Sequence, residues 1–301
     1  MAAFPETLSL RADGLAAVIV PSLGGRVSRF WSSGEGGIEL FAPIRRDLPL
    51  DEALRRGGCY PLTPFSNRVR GAAFSWKGRP IALQAHPLAR PHALHGIAWA
   101  RPFEVVHQTP TRARLQLDHL GDEHWPWPLQ IVQEFTLSPD RLRLDLAVVN
   151  RAQESQPVGL GFHPFFPRRR AASLRFSARA LWRAGPDLMP LALDPLPKAL
   201  DFKQGRAVPE GLDHVFEGVG PAAEILWPSV GAAPGWRVGL QFSTHLSRAV
   251  LFSPPGSDVF CFEPVSHFVD ALNAPGMPGF FRLRPGGTAR ATLNLKAELI
   301  L

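Results

Sequence analysis

Helical periodicity is scarce in this 301-residue sequence, cysteine is limited to two residues, and no apolar run approaches the ~20 residues that span a bilayer. Cys59 and Cys261 sit in apolar contexts, which excludes a disulfide framework. The N-terminal Met1-Ala2-Ala3-Phe4-Pro5-Glu6 lacks the basic segment and apolar core of a signal peptide, so a soluble, cytoplasmic protein is expected. There is no helix-turn-helix pattern, zinc-finger spacing or RNA-recognition motif. The formal charge of +7 is therefore read as a solvated, Arg-rich surface, with neither a nucleic-acid nor a membrane partner. Only Arg168-Arg169-Arg170 forms a basic run. A phosphate site is its alternative to solvation.

What the chain does have is two-residue alternation. Ala289, Ala291, Leu293, Leu295, Ala297 and Leu299 face one way, with Arg290, Thr292, Asn294, Lys296 and Glu298 between them. That is the pattern of a half-buried antiparallel strand. Leu142, Leu144, Leu146 and Val148 repeat it within 141–150, and Ala113, Leu115 and Leu117 within 112–118. Residues 15–20, 129–137 and 238–242 also read as strands. One short helix is expected at 47–56, ended by Gly57-Gly58, and the proline-rich 185–197 segment reads as a long surface loop. The 31 prolines and 27 glycines are scattered, as many short strands joined by turns require. No repeat or linker divides the sequence. An all-β chain is expected, a single large antiparallel sandwich domain over 1–301.

Several short segments carry polar groups in apolar or turn contexts. Gly161-Phe162-His163-Pro164-Phe165-Phe166 sets an imidazole among aromatic residues, and apolar surroundings shift its pKa. Glu263 ends the apolar run 259–262 and precedes Pro264. It is either the base of an acid/base pair with His163 or half of a structural ion pair. Asn67-Arg68 closes a Gly/Pro-rich loop and offers an amide and a guanidinium to hydroxyls; a plain strand connection is the alternative. His86, His92 and His95 lie within ten positions. A zinc site is the minor reading there, and a hydrogen-bonding His95 beside Gly96, with room for a ligand, the preferred one. Asp213 in Leu212-Asp213-His214 is a turn cap or an acceptor for ligand hydroxyls. The eight tryptophans are candidate stacking platforms, though most are expected in the core.

In this order, the segments resemble the aldose 1-epimerase (galactose mutarotase) family. The match runs from about residue 15 to about 295. It rests on Asn67-Arg68, the 71–83 segment with its Phe-x-x-x-Gly character, Leu94-His95-Gly96, Gly161-x-His163-Pro164-Phe165-Phe166, Leu212-Asp213-His214-x-Phe216, and Glu263-Pro264-Val265-Ser266-His267 with Asn273 beyond. Ile97 stands where the family often has a second glycine, and Phe165 where it commonly has tyrosine. Trp125-Pro126-Trp127-Pro128 is similar to a bacterial subgroup. The resemblance implies a β super-sandwich and a cofactor-free, metal-free enzyme that interconverts the anomers of a monosaccharide. His163 would be the general acid and Glu263 the general base, both charged in the working state. Arg68, His95 and Asp213 would hold the sugar, with Asn67 a secondary contact. A hexose 6-phosphate is the alternative substrate, and a non-catalytic sugar binder the alternative function. The state expected is monomer or homodimer.

Overall fold

The computed structural model describes residues 4–34, 37–45, 47–169, 171–231 and 233–300. Arg170 lies outside them, so the basic run is described only at Arg168 and Arg169. Among the described residues most strands fall into two large antiparallel sheets of ten and eight strands. The ten-stranded sheet runs, edge to edge, Leu8–Ala12, Leu15–Val20, Arg26–Ser32, Cys59–Leu62, Gly161–Pro167, Val259–Val265, Arg248–Ser253, Leu212–Glu217, Ala180–Ala184, Pro190–Pro195. The eight-stranded sheet runs Ser173–Phe176, Ala222–Trp227, Gly235–Phe242, Thr288–Ile300, Arg141–Asn150, Leu129–Ser138, Arg112–His119, Glu104–Gln108.

The alternating sequences build the eight-stranded sheet. Leu142, Leu144 and Leu146 pair with Leu295, Leu293 and Ala291, and these side chains enter the core between the sheets. Charged residues between them face water, as the pleat dictates. The apolar face ends earlier than expected: Ala297 is buried but Leu299 is 47% exposed.

The ten-stranded sheet follows a different rule. All seven residues of Val259–Val265 are buried, as are six of the seven in Gly161–Pro167. A strand without polar alternation is one covered on both faces. Phe162, Phe166, Phe260 and Phe262 point into the core shared with the other sheet, while Phe165, Cys261 and Val265 belong to a second cluster on the opposite face. Every candidate site residue borders that second face or its cover.

Two expected elements are corrected. The helix at 47–56 shrinks to Leu50–Ala53, entered from Pro49 and followed by a turn. The supposed loop at 185–197 contains a hairpin arm: Pro190–Pro195 pairs with Ala180–Ala184. Its prolines misled because they count against a central strand but are tolerated at a sheet edge, where no further ladder bond is required. The Phe-x-x-x-Gly segment is a tight hairpin of Ala73–Trp76 and Arg79–Ala82, with positive φ at Lys77 and Gly78.

The end of the apolar face can be tested by truncation. Leu293→Ala is expected to cost about 2–5 kcal/mol in urea unfolding. Leu299→Ala should stay within about 0.5 kcal/mol of wild type. Equal losses would contradict the packing described.

Candidate active site

One transverse row of the ten-stranded sheet assembles the site. Tyr60 pairs with His163, Glu263 with Val250, Val250 with Val215, and Val215 with Trp182. The register that pairs Gly161 with Val265 and Phe165 with Cys261 sets His163 opposite Glu263. Cross-strand neighbours on one face are within side-chain reach. His163 Nε2 accordingly lies 3.2 Å from Glu263 Oε1, with the two residues 5% and 2% exposed. Asp213 lies on the adjacent row, opposite Phe252, which is itself opposite Cys261.

The imidazole is held in an aromatic sandwich. Tyr60 stacks on it at 4.5 Å and Phe165 at 4.7 Å. Phe165, which replaces the family's tyrosine, therefore serves as a wall of the imidazole slot. Behind Tyr60 lies Arg26, fully buried, its guanidinium 4.1 Å from the phenol ring centre. Arg26 Nη1 donates to the carbonyls of Leu54 (2.7 Å) and Gly57 (3.2 Å), and burial pushes its pKa down to about 10.

Burial and neighbouring charge move the pair in opposite directions. His163 falls well below the ordinary imidazole value through burial, then through the nearby His95 and Arg26. Glu263 rises well above the ordinary carboxylate value through burial, then the Asp213 carboxylate, with Arg68 opposing. Desolvation thus disfavours the charged form of each group and opposes the charged pair expected for the working state. Cys261 Sγ lies with the His163 and Glu263 donors inside a 4.8 Å group. Burial and the adjacent carboxylates raise the thiol well above its usual pKa, so it stands there as a neutral thiol.

Arg68, Asn67 and His95 form the wall beside this pair. Asn67 Nδ2 is not what the turn uses; Asn67 Oδ1 accepts from both the Arg68 amide (2.9 Å) and Arg68 Nη1 (3.1 Å). Asn67 thus orients Arg68 rather than simply adding a contact. His95 Nδ1 accepts from the Asn67 amide at 3.1 Å, which leaves Nε2–H as its donor. Burial and the Arg68 charge push His95 down to about 3. Burial raises the Asp213 carboxyl above its ordinary value, with Arg68 opposing.

The minor zinc reading at the three histidines fails on donor geometry. His92 Nδ1 accepts from Gly71 N–H (3.0 Å), His95 Nδ1 from Asn67 N–H, and His86 Nδ1 from Leu88 N–H (3.2 Å). Gly96 does not make room for a ligand either. A Cβ there would sit 2.6 Å from the Thr63 carbonyl, so the glycine serves chain-to-chain approach. Trp182 and Trp99 border the site, whereas Trp76, Trp125, Trp127, Trp227 and Trp236 are core.

A model of the family described as aldose 1-epimerase matches residues 6–296. The chain belongs to the aldose 1-epimerase family. It is 28% identical over 302 residues to the uncharacterized protein YphB of Escherichia coli strain K12, covering 97% of this chain and 99% of that protein. A crystal structure from Escherichia coli K12, provisionally named an aldose 1-epimerase, superposes with a TM-score of 0.88 at 26% identity and covers 98% and 99% of the two chains. A galactose mutarotase-like protein from Clostridium acetobutylicum shares the fold, with a TM-score of 0.84 at 18% identity over 98% and 95%. The shared fold accounts for the two large sheets.

Sequence reasoning missed Tyr60, Arg26 and the acceptor role of His267, and offered Trp182 only as one of eight candidate stacking platforms. His267 Nε2 accepts from Ser66 N–H at 3.0 Å, and burial pushes its pKa down to about 4. This residue couples stability to pH. The unfolded imidazole takes up a proton as pH falls through about 6.5, but the folded one does not until about 4. Its contribution is therefore complete above the unfolded value and declines as pH drops through that window. His267→Gln keeps an acceptor but cannot be protonated. Between pH 7.5 and 5.5, wild type should lose about 1 kcal/mol more stability than this variant in urea titrations. Identical losses would contradict a buried, neutral His267.

Proposed function

We propose that this protein interconverts the α and β anomers of a free aldose, with Glu263 as base and His163 as acid. The observation that carries the reading is the buried His163–Glu263 contact at 3.2 Å, whose outer atoms, His163 Nδ1 and Glu263 Oε2, have no hydrogen-bond partner among the described residues. Buried polar atoms are nearly always paired, so unpaired ones on two adjacent titratable groups point to a reaction site. The family supports the same reading.

The pair shares one proton. In the resting arrangement it sits on Glu263; moved across to His163 Nε2, it yields a carboxylate and an imidazolium. The carboxylate removes the proton of the C1 hydroxyl, and the C1–O5 bond breaks with its electrons going to the ring oxygen. His163 protonates that oxygen, and C1 becomes an aldehyde. Rotation about C1–C2 and the reverse transfers close the ring with the other configuration. Both reacting oxygens are bonded to one carbon, so an acid and a base 3.2 Å apart can serve them together. Arg68, His95 Nε2 and Asp213 supply donors and an acceptor for the other hydroxyls, and Trp182 offers an apolar wall.

A free sugar is favoured over a sugar phosphate by the occupation of the arginines that the sequence offers for a phosphate. Arg168 donates to the Val208 carbonyl (2.6 Å) and to Ser253 Oγ, Arg169 to the Glu39 carbonyl (3.1 Å), and Arg70 to Asp270 (3.2 Å) and Asp187 (3.5 Å).

Polarimetry of freshly dissolved α-D-glucose, α-D-galactose and L-arabinose tests the reaction. Wild type should exceed the buffer rate with at least one sugar, and Glu263→Gln should lose on the order of 10²–10⁴-fold in kcat. No acceleration with these sugars, or full activity in the variant, would overturn the assignment; acceleration only with glucose 6-phosphate would move it to a phosphorylated substrate.

The same pair fixes the acid limb of the pH profile. A second proton enters at His163, leaving no base, and its pKa lies below the ordinary imidazole value. Activity should therefore persist as pH falls through 6.5 and decline only below it. A limb of kcat/KM centred at or above pH 6.5 would contradict this.

A further inference from the structure

Beyond Val265 the chain leaves the sheet and stays buried. Ser266, His267, Phe268, Val269, Asp270, Ala271 and Leu272 are each at most 8% exposed, although they form no strand. Connecting segments normally run over the surface, because buried backbone polar groups must find partners. Here the partners are some two hundred residues earlier in the chain, in the turn that carries Arg68. Ser66 N–H donates to His267 Nε2 at 3.0 Å, Asp270 N–H donates to the Arg68 carbonyl at 3.0 Å, and Arg70 N–H donates to Asp270 Oδ1 at 2.9 Å. Three bonds thus pin the backbone at 66, 68 and 70, on both sides of the Asn67–Arg68 peptide.

We propose that His267 and Asp270 are positioning residues, which hold the 66–70 backbone so that Arg68 is aimed at the sugar; this deepens the epimerase reading and rests on it. The two groups are themselves immobilised. His267 Nδ1–H donates to the Phe268 carbonyl at 2.8 Å, so the tautomer with a free lone pair on Nε2 is fixed. Phe280 stacks on one face of the ring at 4.1 Å. Gly159 lies against it from the link between Gln156–Val158 and Gly161–Pro167, and a Cβ at that position would come within 2.4 Å of His267 Cδ2. Asp270 receives Arg70 Nε at 3.2 Å and Asn273 Nδ2 at 2.8 Å besides the Arg70 amide. Its own φ of 60° is the left-handed conformation that turns the carboxylate back toward the 66–70 strand. Asn67, at φ 58°, sits at the matching bend on the other side and passes the constraint to Arg68 through its carbonyl oxygen.

A positioning role differs from simple stabilisation in being lost when Arg68 is absent. The test is a double-mutant cycle on KM and kcat with the sugar identified by polarimetry. Arg68→Ala is expected to raise KM on the order of tenfold, and His267→Leu to raise it in the same direction with a smaller effect on kcat. The Arg68→Ala/His267→Leu protein should be no worse than Arg68→Ala alone, and His267→Gln, which keeps an acceptor near the Nε2 position, should recover a near-wild-type KM. Multiplying effects in the double variant, or an unchanged KM in folded His267→Leu, would overturn the proposal. Should His267→Leu fail to fold, Asp270→Ala, which removes the acceptor of the Arg70 amide, carries the same cycle with the same expectation and the same overturning result. If wild type accelerates no anomerisation, the epimerase reading fails on its own. The positioning claim is then read from the Kd for D-galactose and D-glucose by calorimetry on the same variants, where non-additive weakening supports it and additive weakening, or no binding by wild type, overturns it.

Discussion

The structure depends on keeping a carboxyl and an imidazole together out of water on the outer face of a β-sheet. Glu263 is 2% exposed, and no strand of the second sheet covers that face. Loops must cover it, and buried loops must satisfy their amides. Side-chain acceptors do this: the N–H groups of Ser66, Asn67 and Gly71 go to the imidazoles of His267, His95 and His92, and that of Arg70 to Asp270. Each imidazole can accept only while neutral, so the dryness that shifts the reacting pair is also required by the groups that build its wall. Arg26 adds a fixed positive charge behind Tyr60, which further disfavours a proton on His163.

Legibility in the sequence followed the physics of each element. Arg141–Asn150 and Thr288–Ile300 could be read because one face meets water and leaves a polar alternation. Val259–Val265 carries no such record, since both faces are covered; its position was still marked by a carboxylate ending an apolar run. The hairpin arm Pro190–Pro195 was hidden by prolines that only an edge strand accepts. His163 and Glu263 could be singled out as unusual residues in apolar runs, but their 3.2 Å contact depends on a strand register that no local pattern encodes. His267 and Tyr60 are silent for a related reason. A histidine that accepts an amide bond and a tyrosine that packs on an imidazole look like ordinary residues until the distant partner is known.

The cover over the site divides into parts that are held in different ways. The cavity bounded by Asn67, Asp213, Trp182, Leu188, Pro190 and Val269 is about 10 Å³, roughly room for one water. The 266–272 wall is buried and tied to the 66–70 turn by backbone bonds. Trp182 stacks on Phe268 at 4.0 Å and donates to Glu217 at 2.9 Å, and Glu217 also holds Arg248 at 2.8 Å. The hairpin tip that carries Leu188 and Pro190 belongs to the sheet edge. Between them Met189 is fully buried in the second apolar cluster, and its amide donates to Asp187 at 3.2 Å. The Arg70–Asp187 pair at 3.5 Å, with side chains half exposed on both sides, adds little to that anchor. Both walls are therefore held by burial, the 266–272 wall through hydrogen bonds to the 66–70 backbone and the hairpin tip through an apolar plug, so the groups around Asp213 are preorganised from two sides.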